Sequence, residues 1–201
     1  MIGIIDYDAG NIRSVEKAMK YLGQDVCITR DRDTLLRADK VILPGVGSFG
    51  DAMNHLQEYG LVDVIHELTE LEKPFLGICL GLQLLFERSE ESPGVEGLGI
   101  LKGEILKIPE TEGLKIPHMG WNSLTFQYQG SLFKGLEEHP YVYFVHSYYL
   151  KAEEESIVKA TTQYGVTIHA SVEKGNVFAC QFHPEKSSRA GLQMLKNFAE
   201  L

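Results

Sequence analysis

Cys79 lies in a segment that is typical of a nucleophile presented on a sharp turn. The apolar run over residues 74–78 leads into Gly-Ile-Cys-Leu-Gly, and a helical pattern begins directly after it. This is the thiol counterpart of the Gly-x-Ser-x-Gly nucleophile elbow. In so tight a reversal, a β-carbon at Gly77 or Gly81 would collide with neighbouring backbone. We therefore expect Cys79 at the carboxyl edge of a sheet, in a strained conformation.

The chemistry that this position favours is nucleophilic attack by a thiolate. Unpaired N–H groups at the start of a helix favour negative charge, so they stabilise the ionised form of a cysteine. The pentapeptide alone also allows a small, buried and inert cysteine, which is a common fate of this side chain. Cys27 and Cys180 lie in strand-like runs without the turn, and we expect both to be inert.

A cysteine nucleophile needs a base, and His183 is the strongest candidate among the seven histidines. It follows a strand pattern over residues 177–182 and precedes Pro184 and Glu185. Side chains two apart in an extended segment point to the same side, and Pro184 keeps His183 out of the helical region. Glu185 can then accept from one ring nitrogen while the other faces Cys79, as in a catalytic triad. Taken alone, the motif also fits a strand-to-helix turn with a capping glutamate.

A third part of such a site is a pair of N–H groups for an oxyanion. The segment Pro44-Gly-Val-Gly47 follows a strand whose carboxyl end should lie near the elbow, and its glycines leave the Val46 peptide free to turn. Val46 and Leu80 are therefore the oxyanion-hole candidates, each donor contributing about 3 kcal/mol to transition-state stabilisation. A phosphate-binding turn is the weaker interpretation, because the segment lacks the P-loop ending and is not the first βα turn.

Alternating strand and helix patterns in the first half would position these residues. We predict buried strands over residues 2–5, 26–29, 41–43 and 74–78. We predict helices over residues 50–59 and 61–71, a helix beginning at about 82, and an earlier one whose apolar stripe is Ile12, Val15, Ala18, Met19 and Leu22. Apolar strands that do not alternate, separated by helices, indicate a parallel sheet covered on both faces.

The second half has a different pattern, with strands joined by glycine-containing turns. The predicted strands cover residues 100–108, 123–128, 141–149, 157–162, 167–172 and 177–182. We expect them to form an antiparallel or mixed extension of the same sheet. A last helix from about Ser187 should turn Leu192, Leu195, Phe198 and Leu201 inward. The predicted fold class is α/β, as one domain over residues 1–201 with a mostly parallel central sheet.

Composition narrows the functional classes. The 201 residues carry a formal net charge of −9, which argues against a broad nucleic-acid surface. The apolar runs are too short to cross a bilayer, and the first residues predict a strand rather than a secretory signal. Three scattered cysteines without CxxC spacing disfavour disulfides and a zinc site and suit the cytoplasm. No cofactor or metal is expected.

Together, Gly77-Ile-Cys-Leu-Gly-Leu-Gln83 and Gln181-Phe-His-Pro-Glu185 resemble the class I, triad-type glutamine amidotransferases. The resemblance covers nearly the whole chain. Residues 6–11, 44–51, 117–122, 143–148 and 183–188 are similar to the glutaminase subunits of imidazole glycerol phosphate synthases, a group within that family. The block His-Met-Gly-Trp-Asn at 118–122 is the most specific of these. The anthranilate and GMP synthase relatives usually carry histidine where this chain has Leu82.

The resemblance implies a glutaminase of histidine biosynthesis. Cys79 would attack the side-chain amide of L-glutamine, and His183, oriented by Glu185, would protonate the departing ammonia. The ammonia would pass directly to a (β/α)8-barrel cyclase, the other subunit of a heterodimer. The cyclase would form imidazole glycerol phosphate and an aminoimidazole carboxamide ribotide. The residues implied in substrate binding are Gly47, Gln83, Glu91, Ser147 and Tyr148, although the adjacent Glu90 and Glu91 are not distinguished.

Residue types add Met119 and Trp121 as partner-interface candidates, since exposed Met and Trp are typical interface anchors. Composition alone favours the alternative, in which Trp121 is a core residue that begins a strand. The resemblance adds Asn11, Tyr143 and Lys186 as partner contacts. It also predicts that the isolated chain hydrolyses glutamine poorly, because the Val46 peptide would have to flip before it donates.

Other functions compatible with the residues are an amidotransferase for another acceptor, such as one of the pyridoxal phosphate or purine pathways, and a non-glutaminase cysteine-elbow hydrolase or sensor. A scaffold protein that has lost glutaminase activity is disfavoured, because Cys79, His183 and Glu185 are all present.

Overall fold

The computed structural model of the protein describes residues 1–128 and 130–201. The strands are β1 Ile2–Ile5, β2 Val26–Thr29, β3 Lys40–Gly45, β4 Phe75–Cys79, β5 Arg88–Ser89, β6 Gly103–Lys107, β7 His118–Ser123, β8 Thr125–Phe126, β9 Tyr141–His146, β10 Tyr148–Ala152, β11 Val158–Tyr164, β12 Val166–Lys174 and β13 Val177–Cys180. The helices are α1 Ile12–Tyr21, α2 Arg32–Arg37, α3 Phe49–Glu58, α4 Leu61–Glu70, α5 Leu80–Leu84 and α6 Ser188–Ala199. Short 3-10 turns cover Ser131–Phe133, Glu155–Ile157 and Pro184–Lys186.

The central sheet has eight strands in the order β2-β1-β3-β4-β13-β12-β11-β8. The first five are parallel, and the last three join them as antiparallel neighbours. The predicted α/β class is confirmed, and so is an antiparallel extension from the C-terminal half. The strands β4 and β13 are adjacent, which is the juxtaposition that the site needs.

Apolar residues pack on both faces of this sheet, which explains why its strands do not alternate. In β3, Val41 and Leu43 join a cluster with residues of α2, α3 and α4, whereas Ile42 joins a second cluster with residues of α1 and α6. Successive strand residues point to opposite faces, so helices cover the sheet on both sides. Each helix turns its apolar stripe to the sheet, as Val15 and Met19 of α1 do.

The second half departs from the prediction in how its strands are distributed. The expected strand over residues 141–149 is two strands in different sheets, because the chain changes direction at Ser147 between β9 and β10. The strand β9 pairs with β7, and β10 pairs with β6, whose other neighbour is β5, so these strands form two small sheets rather than extending the central one. Residues 118–123 form a strand that was not predicted, and the predicted strand over residues 123–128 is reduced to the two-residue β8.

Two further differences concern helices. The helix α2 was not predicted, since it has only six residues, and its start is capped by Asp31, which accepts from the N–H of Thr34. Leu201 was expected to face inward but is 47% exposed, because α6 ends at Ala199. Within the described ranges, no helix is long and apolar enough to cross a membrane.

Candidate active site

The turn from β4 into α5 places Cys79 as predicted. Cys79 ends β4 with φ 55° and ψ −109°, a positive-φ backbone that a cysteine rarely adopts, and α5 begins at Leu80. A β-carbon on Gly77 would lie 2.7 Å from the carbonyl oxygen of Gly81, and one on Gly81 would lie 1.9 Å from that of Leu43. Both glycines are therefore required for the close approach of strand, turn and helix.

The strands on either side of β4 bring the other predicted groups to the elbow. Gly45 of β3 is paired with Cys79, and Cys180 of β13 is paired with Ile78. The segments that leave β3 and β13 therefore begin at the same edge of the sheet as the nucleophile. This places Val46 and His183 near Cys79 although both are distant in sequence.

His183 and Glu185 form a buried, hydrogen-bonded pair. The ring nitrogen Nδ1 of His183 lies 2.8 Å from Oε1 of Glu185, and both side chains are fully buried. His183 has extended backbone, with Pro184 starting the following 3-10 turn, as the His-Pro-Glu motif predicts. The other ring nitrogen, Nε2, is buried with no hydrogen-bond partner among the described residues. It is the nitrogen left for Cys79 and a substrate.

The surroundings of His183 favour its protonated form. Burial on its own lowers the pKa of this imidazole, but the interactions with Cys79 and Glu185 outweigh burial and raise the pKa to about 9. An imidazolium at neutral pH is an acid that can protonate a leaving group.

The segment that carries the histidine is joined to β9 by two hydrogen bonds and is closed by a third within itself. The N–H of His183 donates to the carbonyl of Tyr143, and the N–H of Tyr143 donates to Oγ of Ser187. The Ser187 hydroxyl donates in turn to the carbonyl of His183 at 2.6 Å. The triad segment and strand β9 therefore form one unit.

Asn11 contacts the same pair from another direction. Its side-chain Nδ2 donates to Oε1 of Glu185 at 2.6 Å. The resemblance implied Asn11 as a partner contact only, so its position against Glu185 was missed. No sequence spacing could have indicated it, because the two residues are 174 positions apart.

A pocket of about 380 Å³ opens beside Cys79. All seven residues predicted for the oxyanion hole and for substrate binding line it. They are Val46, Gly47, Leu80, Gln83, Glu91, Ser147 and Tyr148. Its lining also includes Pro117, Val145 and His146, which sequence reasoning did not assign. A volume of this size is within the range of small-molecule binding pockets.

The two adjacent glutamates point in different directions. Glu91 lines the pocket, and its Oε2 accepts from the backbone N–H of Phe49 at 2.8 Å. Glu90 does not line the pocket, and its Oε2 accepts from the N–H of Lys107 at 2.7 Å. Of the two glutamates, Glu91 is therefore the one whose carboxylate lies at the pocket.

Gln83 is buried in the pocket wall and braces it. Its Nε2 donates to the carbonyl of Tyr148 at 3.1 Å and to Oε1 of Gln181 at 3.0 Å. The side-chain nitrogen of Gln181 lies 3.8 Å from the sulfur of Cys79. A chain of amides therefore connects strand β10 to the nucleophile.

A hydrogen bond from Tyr7 anchors the oxyanion segment, and this contact was not predicted from the sequence. The Tyr7 hydroxyl donates to the carbonyl of Pro44 at 2.8 Å. Burial, and then the proximity of Cys79, raise the pKa of Tyr7, so the phenol stays protonated and able to donate. Beyond this anchor, Val46 is 37% exposed and Gly47 has φ 105°, a conformation that favours glycine.

Three of the five residues predicted at a partner interface are exposed, whereas Asn11 and Tyr143 are half-buried. Met119 and Trp121 of β7 are 62% and 51% exposed, so the core alternative for Trp121 is wrong. The Trp121 ring packs edge-on against Tyr143, with ring centroids 6.1 Å apart. Lys186 is exposed in the turn after Glu185. Because Met119 is paired with Val145, which lines the pocket, this apolar surface borders the pocket mouth.

Among the residues that the structure describes, no group of three His, Cys, Asp or Glu side chains is arranged to hold a metal ion, and Cys27, Cys79 and Cys180 are free thiols.

The fold is similar to that of solved amidotransferases. A crystal structure described as a glutamine amidotransferase matches 99% of this chain and 97% of its own, with a TM-score of 0.77 and 22% identity. The structure of PurLQS from Thermotoga maritima matches 99% of this chain and 97% of its own, with a TM-score of 0.76 and 22% identity. At this identity the likeness concerns the fold alone.

The amino-acid sequence is much more similar to two other proteins. The imidazole glycerol phosphate synthase subunit HisH of Caldanaerobacter subterraneus is 53% identical over 201 residues, covering 100% of this chain and 98% of the relative. The subunit of the same name from Methanocaldococcus jannaschii is 50% identical over 201 residues, covering 100% of both chains. The model of the family "Glutamine amidotransferase class-I" matches residues 3–201. The chain therefore belongs to the class-I glutamine amidotransferases, and within them to the family of the HisH subunits.

Proposed function

We propose that this chain hydrolyses L-glutamine to glutamate and ammonia and delivers the ammonia to a cyclase subunit that makes imidazole glycerol phosphate. One observation carries the proposal: Cys79, on its turn, lines a pocket of about 380 Å³ and interacts with the imidazole of the buried His183–Glu185 pair. The names of the relatives at about half identity over the full chain support the acceptor.

The reaction follows from the charges at the site. The Cys79 thiolate attacks the side-chain amide carbon of glutamine, and the amide oxygen takes up the negative charge. The N–H groups of Leu80 and Val46 are the proposed donors to that oxyanion. The imidazolium of His183 gives its proton to the departing nitrogen, which leaves as ammonia, and a thioester remains on Cys79.

Hydrolysis of the thioester restores the site. Neutral His183 accepts a proton from water as the water attacks the thioester carbon, and glutamate leaves as the sulfur is released. Glu185 holds the imidazole through Nδ1 in both steps, so that Nε2 serves as acid and then as base. Glu91, at the pocket wall, is the proposed partner of the α-ammonium of glutamine.

The proposed docking surface for the cyclase comprises Met119, Trp121 and Tyr143, with Asn11 and Lys186 beside them. Two exposed apolar side chains next to the pocket mouth support it, since such residues are common anchors of interfaces. A partner there would receive the ammonia before the ammonia meets bulk water and is protonated.

Cytoplasmic localisation stays a prediction from the cysteine content.

The experiment is to mix the chain with a cyclase subunit from one of the HisH-containing relatives and to follow glutamate release with and without the nucleotide ligand of the cyclase. Release should be slow for the isolated chain and faster with partner and ligand. Cys79→Ala should abolish release, whereas Cys27→Ala should not change it. Rapid release without partner, or residual release by Cys79→Ala, would contradict the proposal.

Two further experiments test the substrate and the partner separately. A diazo-ketone analogue of glutamine should label Cys79 if the pocket accepts glutamine, and no labelling would favour a non-glutaminase hydrolase.

Lys186→Ala should weaken cyclase binding or the stimulation of release. Its control is Lys40→Ala, which changes a lysine at the opposite edge of the sheet, where β3 begins. Unchanged affinity and stimulation in Lys186→Ala would exclude the role proposed for Lys186.

A further inference from the structure

Two buried histidines outside the triad contact each other beside the pocket. Nδ1 of His118 lies 3.0 Å from Nε2 of His146, and the residues are 3% and 6% exposed. His118 belongs to β7, the strand that carries Met119 and Trp121, and His146 lines the pocket. The pair therefore spans the distance between the exposed apolar surface and the pocket wall.

The hydrogen bonds assign the proton positions on both rings. Nδ1 of His146 lies 2.8 Å from the carbonyl oxygen of Tyr148, and a carbonyl only accepts, so Nδ1 carries the proton. In the neutral ring Nε2 is then an acceptor, and His118 must donate to it through Nδ1–H. This leaves Nε2 of His118 as an acceptor, and the side-chain nitrogen of Asn122 lies 3.3 Å from it. Every donor in the series meets an acceptor.

Packing and charge agree with this assignment. The His118 ring is stacked between the rings of Tyr164 and Phe144, with centroids 3.9 Å and 4.7 Å away, which fixes its plane. Burial lowers the pKa of His118 to about 4, and burial lowers the pKa of His146 to about 3. Both rings are therefore neutral at physiological pH, as a hydrogen-bonded pair with one proton on each ring requires.

The relay, which is the series of hydrogen bonds from His118 through His146, ends at the carbonyl of Tyr148, which Gln83 also contacts. The carbonyl of Tyr148 accepts from Nδ1 of His146 and also from Nε2 of Gln83. Gln83 continues to Gln181, whose side-chain nitrogen lies 3.8 Å from the sulfur of Cys79. The position of one backbone carbonyl is thus set jointly by the strand at the proposed interface and by the amides at the nucleophile.

We propose that His118 and His146 are positioning residues which, as a neutral hydrogen-bonded pair, fix the Tyr148 backbone at the pocket and tie it to strand β7. Among the described residues neither ring is hydrogen-bonded to the sulfur or to the triad, so the pair acts through the shape of the pocket wall. The proposal rests on the proposed glutaminase function for its kinetic consequence, but its structural part does not.

The structural part is tested by nitrogen-15 NMR of the histidine rings in the full chain at pH 7. The shifts should show both rings as neutral Nδ1–H tautomers. This tautomer is the minor form of a free neutral histidine, so it would not be found at two sites without specific partners. An Nε2–H tautomer at His146, or a charged ring at either position, would overturn the relay.

The kinetic part uses two substitutions that each preserve a different half of the pair. In His146→Asn the amide nitrogen can replace Nδ1 and keep the bond to Tyr148. In His146→Gln the amide oxygen can replace Nε2 and keep the bond from His118, but the bond to Tyr148 is lost. With the cyclase present, His146→Gln should raise the KM for glutamine roughly tenfold, the effect of one lost hydrogen bond, and His146→Asn should raise it less.

KM separates this role from a general loss of stability, because it does not depend on the fraction of protein that is folded. The control is His169→Phe, which removes a half-buried histidine that accepts from the N–H of Ala152 away from the pocket, and which should leave KM unchanged. An unchanged KM in His146→Gln would overturn the positioning role. If the unmodified chain and cyclase released no glutamate, the proposed function would fail, and the relay would be judged on the nitrogen shifts alone.

Discussion

Asn11 and Glu185 are joined by a hydrogen bond of 2.6 Å from the amide nitrogen to Oε1, the same oxygen that faces Nδ1 of His183. Asn11 precedes α1 in the left-handed conformation, with φ 71°, and its side chain does not cap that helix. A residue type that commonly caps a helix start is here committed to the carboxylate of the triad instead. Asn11 therefore holds Glu185 in addition to any contact with a partner.

We expect Asn11→Gly to lower kcat/KM for glutamine roughly tenfold or more, because a bond to a charged group is lost and Glu185 can move away from His183. Glycine is preferred to alanine in this test, since it adopts positive φ without strain. The exposed Asn54 of α3 provides the control as Asn54→Ala. Hydrolysis should also be measured without cyclase, because this basal rate separates the two roles of Asn11. If Asn11 acted only as a partner contact, the basal rate of Asn11→Gly would equal that of the unmodified chain.

The neighbouring Glu90 and Glu91 form a matched pair for testing recognition of the substrate ammonium. Glu91→Gln should raise the KM for glutamine about tenfold or more, because the charge at the pocket is removed while an oxygen remains to accept from Phe49. Glu90→Gln should leave KM unchanged, since Glu90 contacts the N–H of Lys107 and not the pocket. Initial rates over a range of glutamine concentrations give both values, and equal effects in the two variants would contradict the assignment.

The parts of the site that could be predicted are those encoded by local sequence. The turn around Cys79 needs glycines at fixed positions, and the geometry of His183, Pro184 and Glu185 is set within three residues. The strands of the parallel sheet could be predicted because burial on both faces leaves continuous apolar runs.

The parts that were missed depend on contacts between distant segments. Tyr7 below the oxyanion segment, Asn11 at Glu185 and the pair of His118 and His146 are brought together only by the order of the strands. The apolar run over residues 141–149 gave no sign that it divides at Ser147, because both halves have strand-like composition. Its division into two small sheets is decided by pairing with β7 and β6, which a local pattern does not contain.

Gly81 tests whether the elbow depends on close packing. A β-carbon there would lie 1.9 Å from the backbone carbonyl oxygen of Leu43, so Gly81→Ala would force β3 away from the turn. We expect a loss of several kcal/mol in the free energy of unfolding, as for other overpacked sites with fixed backbone. Gly23→Ala is the control: Gly23 has φ 76° but open space around it, so only about 1 kcal/mol should be lost. Denaturant unfolding of both variants makes the comparison, and a loss for Gly81→Ala no larger than that for Gly23→Ala would contradict the close packing inferred at the elbow.

The raised pKa of His183 predicts how stability changes with pH. The pKa is raised to about 9 in the folded chain, against about 6.5 for an unfolded histidine, so the folded state binds this proton more tightly. The resulting stabilisation should be complete below pH 6.5 and should be lost as the pH rises to about 9. Cys79→Ala removes one of the two interactions that outweigh burial, so the pKa of His183 should fall and the loss should occur at lower pH. NMR titration of the His183 ring in both proteins, beside unfolding measurements from pH 6 to 10, would give the two midpoints, and identical midpoints would contradict the coupling between sulfur and imidazole.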